Sequence, residues 1–389
     1  MKILRIALIA PQPYFDVRGT CMANLRLIQV FSEIGYAVDV ITYPLGSAPE
    51  YPGITVHRCR PIPFVRSVKI GFSLAKALLD LNLLMCARRL IRRNKYDCIH
   101  GVEEGAFIGG LLGRLTGTPF IYDMDSVMSH EIENSPVGKF PFAARLVRAV
   151  EHWAIRKSAL VVTISDSMVD YVRKVDPSKA AVVVPDVPIP FPSGGPDITR
   201  ARAQLPSQLL DKKILLYAGS FANYQGLDLL ISAMPKVTAN NPKAALVIIG
   251  GDDKSIKRLS GTAKNIHFTG KKPPEQIPDF LAAADVLMSP RRGGINPPAK
   301  IYTYMQSGKP IVATDIPAHT TVLDRNSATL VEPKPDGIAD GILHILAHPE
   351  EANQKAIRAQ GIVGKITPEL QALRIREAYE ILTARTKHA

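Results

Sequence analysis

From Ser289 to Leu323 the chain reads SPRRGGINPPAKIYTYMQSGKPIVATDIPAHTTVL, the stretch richest in groups that can hold an anion. Arg291, Arg292 and Lys300 supply positive charge suited to a diphosphate, and Gly293 and Gly294 let the backbone come close to a ligand. Pro297 and Pro298 stiffen the loop just ahead of a helical pattern, so its amides are aimed toward a helix N-terminus. A solvated basic loop would explain the charges. It would not explain two glycines, Asn296 and two prolines opening onto a helix and a strand, and loop chemistry of this kind points to a bound ligand.

Other loops carry weaker versions of the same signal. In AGSFANYQGLDLL, Gly219 and Gly226 flank Ser220 and Gln225, which offer hydrogen bonds without charge ahead of the next helix. Gly250-Gly251 and Gly270-Lys271-Lys272 close two further strand patterns, and in PYFDVRGT the pair Arg18 and Gly19 lies between a strand and a helix. None of these is a GxGxxG, so a dinucleotide fingerprint is not supported. Near the middle of the first half, His100 stands with Glu103 and Glu104, suited either to orienting a hydroxyl or to a buried structural role. Asp123 and Asp125 follow as an acidic pair, read as sugar or hydroxyl contacts rather than as the spaced carboxylates of a glycosidase.

Positioning these loops requires a repeated strand–loop–helix unit. Ile3 to Ala10 is a near-continuous apolar strand, Met22 to Ile34 has helical spacing ending at Gly35, and Ala37 to Thr42 is a second strand. Further strands are expected at Cys98–His100, Phe120–Tyr122, Ala159–Thr163 and Ala181–Val184. Five prolines and two glycines in PDVPIPFPSGGP, residues 185–196, mark a linker. Beyond it the alternation resumes, with strands at 214–218, 245–249, 266–269, 286–289 and 311–314 and helices at 227–234, 277–283 and 301–306. The expectation is an α/β chain of two Rossmann-like domains with parallel sheets, residues 1–190 and 191–369, and a terminal helix over 370–389 packing back on the first.

With 389 residues, 46% of them hydrophobic and 21% charged, the chain is long enough for two cores and lacks the composition of disorder. Four scattered cysteines form neither a CxxC nor a zinc pattern, and they read as reduced thiols. The apolar start runs into Pro11 without a cleavage site, and no run reaches the roughly 18 to 20 residues a spanning helix needs, so a cytoplasmic protein is expected. A net charge of +13 implies anionic company, and 6% aromatics with no recognisable motif disfavours nucleic acid. Residues 63–95 join an apolar helical pattern to Arg88, Arg89, Arg92, Arg93 and Lys95. This combination suits either an ordinary helix C-terminus or a helix lying on anionic lipid.

The pattern PRxxGxNxPxKIYxYxxSGKPIVAT, with NYQGLDLL upstream, resembles the donor half of the family 4 retaining glycosyltransferases of the GT-B fold. RGT, GYAVDVITYPLG, YDCIHGVEEGAFIG and PFIYDMDS resemble their counterparts in the first half, so the likeness runs over nearly the whole chain. It implies a cleft between the domains, a nucleotide-diphosphate sugar held mainly by the second one, transfer with retention and no metal, and no cofactor beyond that co-substrate. It also implies an acceptor on the first domain; the helix of residues 63–95, where it is read as lying on lipid, adds the expectation of a lipid-linked or envelope-glycan acceptor and peripheral attachment to the inner face of the cytoplasmic membrane. Residue by residue, Arg291 to Asn296 (with Gly293, Gly294 and Ile295) correspond to the loop around donor sugar and diphosphate and Lys300 to a phosphate lysine; Lys271 and Lys272 follow the turn near the base, Gly250 counts among the donor-side residues, and Gly19 corresponds to the first-domain loop near the phosphates. Arg18, His100, Glu103 and Glu104 fall on the acceptor side. Two glutamates of many relatives are replaced by Gly293 and Thr303, an arginine and a lysine by Ser220 and Gln225, and a histidine by Asp125. The resemblance assigns Lys300, Arg291 and Asp125 to the reaction centre. A binding protein of the same fold that has lost the chemistry is the competing class, and nucleotide-sugar epimerisation a third.

Overall fold

The computed structural model describes residues 3–14, 19–47, 49–63, 65, 68, 74–133, 141–259 and 265–386. The first of two compact units comprises Met1–Pro185 and Glu369–Ala389. Its strands are β1 (Arg5–Ala10), β2 (Ala37–Thr42), β3 (Ile54–Arg58), β4 (Cys98–Val102), β5 (Phe120–Met124), β6 (Leu160–Thr163) and β7 (Ala181–Val183). They form a parallel sheet in the order β3-β2-β1-β4-β5-β6-β7, with Arg5 opposite Ala37 and Ile6 opposite Cys98. The helices are α1 (Gly19–Ile34), α2 (Leu74–Arg93), α3 (Gly105–Thr116), α4 (Met128–Glu133), α5 (Pro141–Lys157) and α6 (Asp166–Val175). Ile3 is exposed, so β1 begins two residues later than its apolar pattern suggests. The central strands are buried on both faces, which is why they read as unbroken apolar runs.

The second unit, Asp186–Pro368, repeats the plan. Helices α7 (Ile198–Ala203), α8 (Leu227–Asn240), α9 (Asp253–Leu259), α10 (Ile277–Ala283), α11 (Ala299–Gln306), α12 (Pro317–Thr320), α13 (Pro335–Ala347) and α14 (Pro349–Val363) surround six strands. These are β8 (Lys213–Ala218), β9 (Ala244–Ile249), β10 (Ile266–Gly270), β11 (Val286–Ser289), β12 (Ile311–Thr314) and β13 (Thr329–Val331), ordered β10-β9-β8-β11-β12-β13. The strand order reverses between β8 and β11, the position at which an open α/β sheet leaves a crevice beyond its carboxyl ends.

One helix runs further than the sequence reading has it. The helix expected over 227–234 continues through Pro235 to Asn240. Its buried stripe of Leu230, Ile231, Met234 and Val237 packs on α13, and that burial outweighs the missing amide. The terminal helix α15 (Pro368–Thr386) belongs to the first unit, where Ile375, Ala378, Tyr379 and Leu382 join the core around Phe31 and Tyr36.

Candidate functional site

At the switch point of the second sheet, Lys300 is the second residue of α11 and its side chain reaches the end of β8. Its Nζ stands 3.9 Å from the centre of the Tyr217 ring, and a β-carbon on Gly219 would lie 3.2 Å from it. The stem keeps partial exposure while Nζ itself is buried with no hydrogen-bond partner among the described residues. Burial, and then the neighbouring charge of Arg291, push its pKa down to about 7. An ammonium group stripped of water and left without an anion is costly to a fold. A ring face compensates it only in part.

The loops around Lys300 are locked from below. Tyr217 donates its phenol to the Ser220 carbonyl at 2.6 Å, which fixes the turn after β8. Gly250 has φ +122° and packs so closely that a β-carbon there would sit 2.1 Å from the Gly219 carbonyl oxygen. Gly226, at φ +67°, meets the Pro290 carbonyl in the same way, at 2.0 Å. After β11, Ser289 Oγ donates to His319 Nε2 at 2.8 Å, and His319 Nδ1 donates to the Thr314 carbonyl, also at 2.8 Å. Burial holds the His319 pKa down to about 4, so this histidine is neutral and its tautomer is set by those two bonds. Thr314 Oγ1 then donates to the Arg291 carbonyl at 2.5 Å.

Arg291 itself is only 6% exposed and stacks over Tyr224 at 5.0 Å. Its guanidinium donates to the Asn296 carbonyl at 2.8 Å and to Asn296 Oδ1 at 3.2 Å. Its fork thus shapes the 291–296 loop, and its charge acts at Lys300 through space. Gly294, at φ +110°, lies against that guanidinium and accepts from Ala318 N at 3.0 Å, whereas a β-carbon on Gly293 would meet open space. Arg292 is paired with Asp228. Ile295 is half-buried in the loop.

Of the remaining donor-side residues, Ser220 is half-buried, and Gln225 ends a 3-10 turn over 223–225 with its Oε1 buried and without a hydrogen-bond partner among the described residues. Lys271 is exposed, while Lys272 donates to Gln204 Oε1 at 2.8 Å. Thr303 is buried and its Oγ1 accepts from Ile189 N at 3.2 Å, which anchors the linker. Sequence reasoning missed Tyr217, Tyr224 and His319. Only the aromatic and histidine identities at strand and helix ends signalled them, and residues at such positions are commonly core.

In the first unit, the geometry of His100 favours the second of its two roles, a buried structural tie. It is 1% exposed, with Nδ1 bonded to the Tyr379 hydroxyl at 2.8 Å and Nε2 to Asp123 Oδ2 at 2.9 Å. Both ring nitrogens are thus spent joining β4, β5 and α15. Glu103, at φ +50°, accepts from Ser126 Oγ at 3.2 Å, and Glu104 pairs with Lys76. Beside them Asp80 accepts from the Tyr43 hydroxyl, and burial raises its pKa to about 6. Asp125 sits half-buried in the bend after β5. Gly19 opens α1, and Arg18 lies outside the described residues.

Fold and geometry together define an α/β protein of two Rossmann-like units, one holding a dehydrated lysine at its sheet's switch point. Comparison with known proteins gives the family. Residues 22–186 match the glycosyl transferase 4-like domain, and residues 212–348 match the glycosyl transferases group 1 domain. The chain belongs to the glycosyltransferases, of the GT4 type and the GT-B fold. It is 27% identical to the 2-deoxystreptamine N-acetyl-D-glucosaminyltransferase of Streptomyces fradiae over 72% of this chain and 70% of that one. It is 21% identical to the phosphatidyl-myo-inositol mannosyltransferase of Mycolicibacterium smegmatis over 98% and 94% of the two chains. The crystal structure of Anabaena HepE with UDP and glucose, 18% identical, matches 97% of this chain and 99% of that one at a TM-score of 0.72.

Proposed function

We propose that the chain is a retaining glycosyltransferase that takes its sugar from a nucleotide-diphosphate donor whose diphosphate binds at Lys300. The single observation behind this is the buried, partnerless Nζ at the switch point of β8 and β11, with glycine loops packed around it. In the reaction the acceptor oxygen bonds to the anomeric carbon on the face from which the donor's C1–O bond breaks. The bond's electrons go to the diphosphate, and the acceptor's proton goes to the departing phosphate oxygen. Lys300, fully protonated once the anion is beside it, and the loop amides stabilise the charge that develops there. This supply of positive charge from the protein is the reason for reading the transfer as metal-independent. Asp125 is assigned to the sugar or acceptor, where a carboxylate stabilises positive charge at the anomeric carbon.

A lipid-linked or envelope-glycan acceptor, cytoplasmic location and peripheral membrane attachment complete the reading. The lipid acceptor and membrane attachment are supported by the phosphatidyl-myo-inositol in the name of a relative that matches along almost the whole chain. The test is a donor screen for nucleotide-sugar hydrolysis with and without EDTA, repeated with Lys300→Met. Turnover is expected to survive EDTA and to fall by about two to three orders of magnitude in the variant. A wild-type chain that binds nucleoside diphosphate but turns over no donor would favour the competing class of binding protein, for which Ser220 and Gln225 at usually cationic positions are the motive.

A further inference from the structure

Three neighbouring helices of the first unit expose side chains that a solvated face does not need. On α2, Leu78, Leu81, Met85, Arg88, Arg89 and Arg92 are all exposed and fall within about 100° of one another around the axis. The opposite stripe of Leu79, Leu83, Ala87 and Ile91 is buried against the sheet. The helix therefore has two apolar stripes, one of them continued toward its C-terminus by arginines. Helix α3 packs against α2 on one side and α5 on the other. It exposes Leu111, Arg114 and Leu115, the last at 69%. Along α5, Phe142 is 77% exposed, and Arg145, Leu146 and Arg156 share its stripe.

The charges on these helices are one-sided. Every charged residue of α2, α3 and α5 that is exposed is arginine or lysine, while the acids are turned inward: Asp80 bonds to Tyr43, and Glu151 is fully buried, accepting from Met128 N, Ser129 Oγ and the Tyr171 hydroxyl. Ordinary solvated helices carry both signs. Apolar tips interspersed with arginines, spread over three helices, suit a surface whose outer layer is negative and whose next layer is hydrocarbon.

We infer that the α2–α3–α5 face docks the chain on an anionic phospholipid bilayer, with Phe142, Leu146, Leu115, Leu111, Leu78 and Leu81 entering the headgroup–acyl boundary and the arginines meeting lipid phosphates. The inference extends the peripheral-membrane reading beyond α2 alone, but it does not depend on the transfer chemistry. Docking can fail while donor hydrolysis in solution persists, and the reverse also holds.

The experiment is flotation of the full chain with vesicles of phosphatidylcholine alone or mixed with phosphatidylglycerol, at low and high salt. Two variants accompany it: Arg88→Gln/Arg89→Gln/Arg92→Gln/Arg93→Gln, and Leu115→Ser/Phe142→Ser/Leu146→Ser. All seven positions are exposed, so both variants are expected to keep the wild-type melting temperature and donor hydrolysis. The wild type is expected to float with the anionic vesicles only and to be weakened by salt. Each variant is expected to lose at least about tenfold in partitioning, from lost charge in the first case and lost insertion in the second. Equal partition to neutral and anionic vesicles, or none to either, overturns the inference. So does a serine variant that floats as the wild type does, since the attraction would then be that of the net charge of +13 alone. A chain that ignores vesicles but dimerises through this face in sedimentation, with the serine variant monomeric, would identify a second copy as the occupant and also overturn it.

Discussion

If Lys300 awaits a diphosphate, binding nucleoside diphosphate must take up a proton. With its pKa near 7, about nine-tenths of the amines are neutral at pH 8 and about half at pH 7. An anion against Nζ restores the charged form, so uptake approaches about 0.9 proton per site at pH 8. Other groups facing Lys300 do not imitate this. His319, at about 4, stays neutral, Arg291 stays charged, and burial raises the Tyr217 phenol well above its ordinary range. The terminal phosphate, with a pKa of about 6, is already ionised at pH 8. The assay is calorimetry at pH 8 in buffers of different ionisation enthalpy, where the slope of observed against ionisation enthalpy gives the protons taken up. Lys300→Met should reduce that slope to near zero. Stability should move the other way. The folded pKa lies below the ordinary 10.5, so the lysine destabilises the fold fully below pH 7, and this loss fades as pH rises toward 10.5. Its upper limit is about 5 kcal/mol, and Lys300→Met should therefore raise Tm at pH 7 while lowering turnover. A wild type that binds tightly at pH 8 with a flat slope would refute the placement of the anion at Nζ.

Two further substitutions distinguish a reaction-centre residue from a structural one. Asp125→Asn keeps shape and removes charge. It should lower turnover by about one to three orders of magnitude with nucleoside diphosphate affinity nearly unchanged, and a fully active, equally stable variant would show that the reaction centre lies elsewhere. His100→Leu removes both bonds that tie β4 to Asp123 and Tyr379. It should cost about 2 to 4 kcal/mol in denaturant unfolding, from two buried partners left unsatisfied. Donor affinity should stay unchanged, and a large change there at unaltered stability would return His100 to a ligand-binding role.

Much of the architecture was legible in the residues. Runs such as LLYA and ALVII announce strands buried on both faces, because a parallel sheet covered by helices exposes neither side. The edge strands β3 and β13 escaped notice: ITVHR is only partly buried and TLV is short, so neither carries a strong apolar period. Composition also conveyed the kind of chemistry, since cations, glycines and prolines ahead of a helix are a local signature of anion binding.

What the tertiary structure alone decided is which of those groups are spent. Arg291 and Lys300 read alike in sequence, yet the fold ties the first to Asn296 and places the second, with no hydrogen-bond partner among the described residues, over Tyr217 of β8. His100 stood open between a hydroxyl contact and a structural role until α15, far along the chain, supplied Tyr379. Sequence by itself determined the alternation of elements and the supply of charge, because these depend on neighbours a few residues apart. Burial, pairing and the resulting pKa depend on groups brought together from distant segments, and they exist only once the sheet has closed around them.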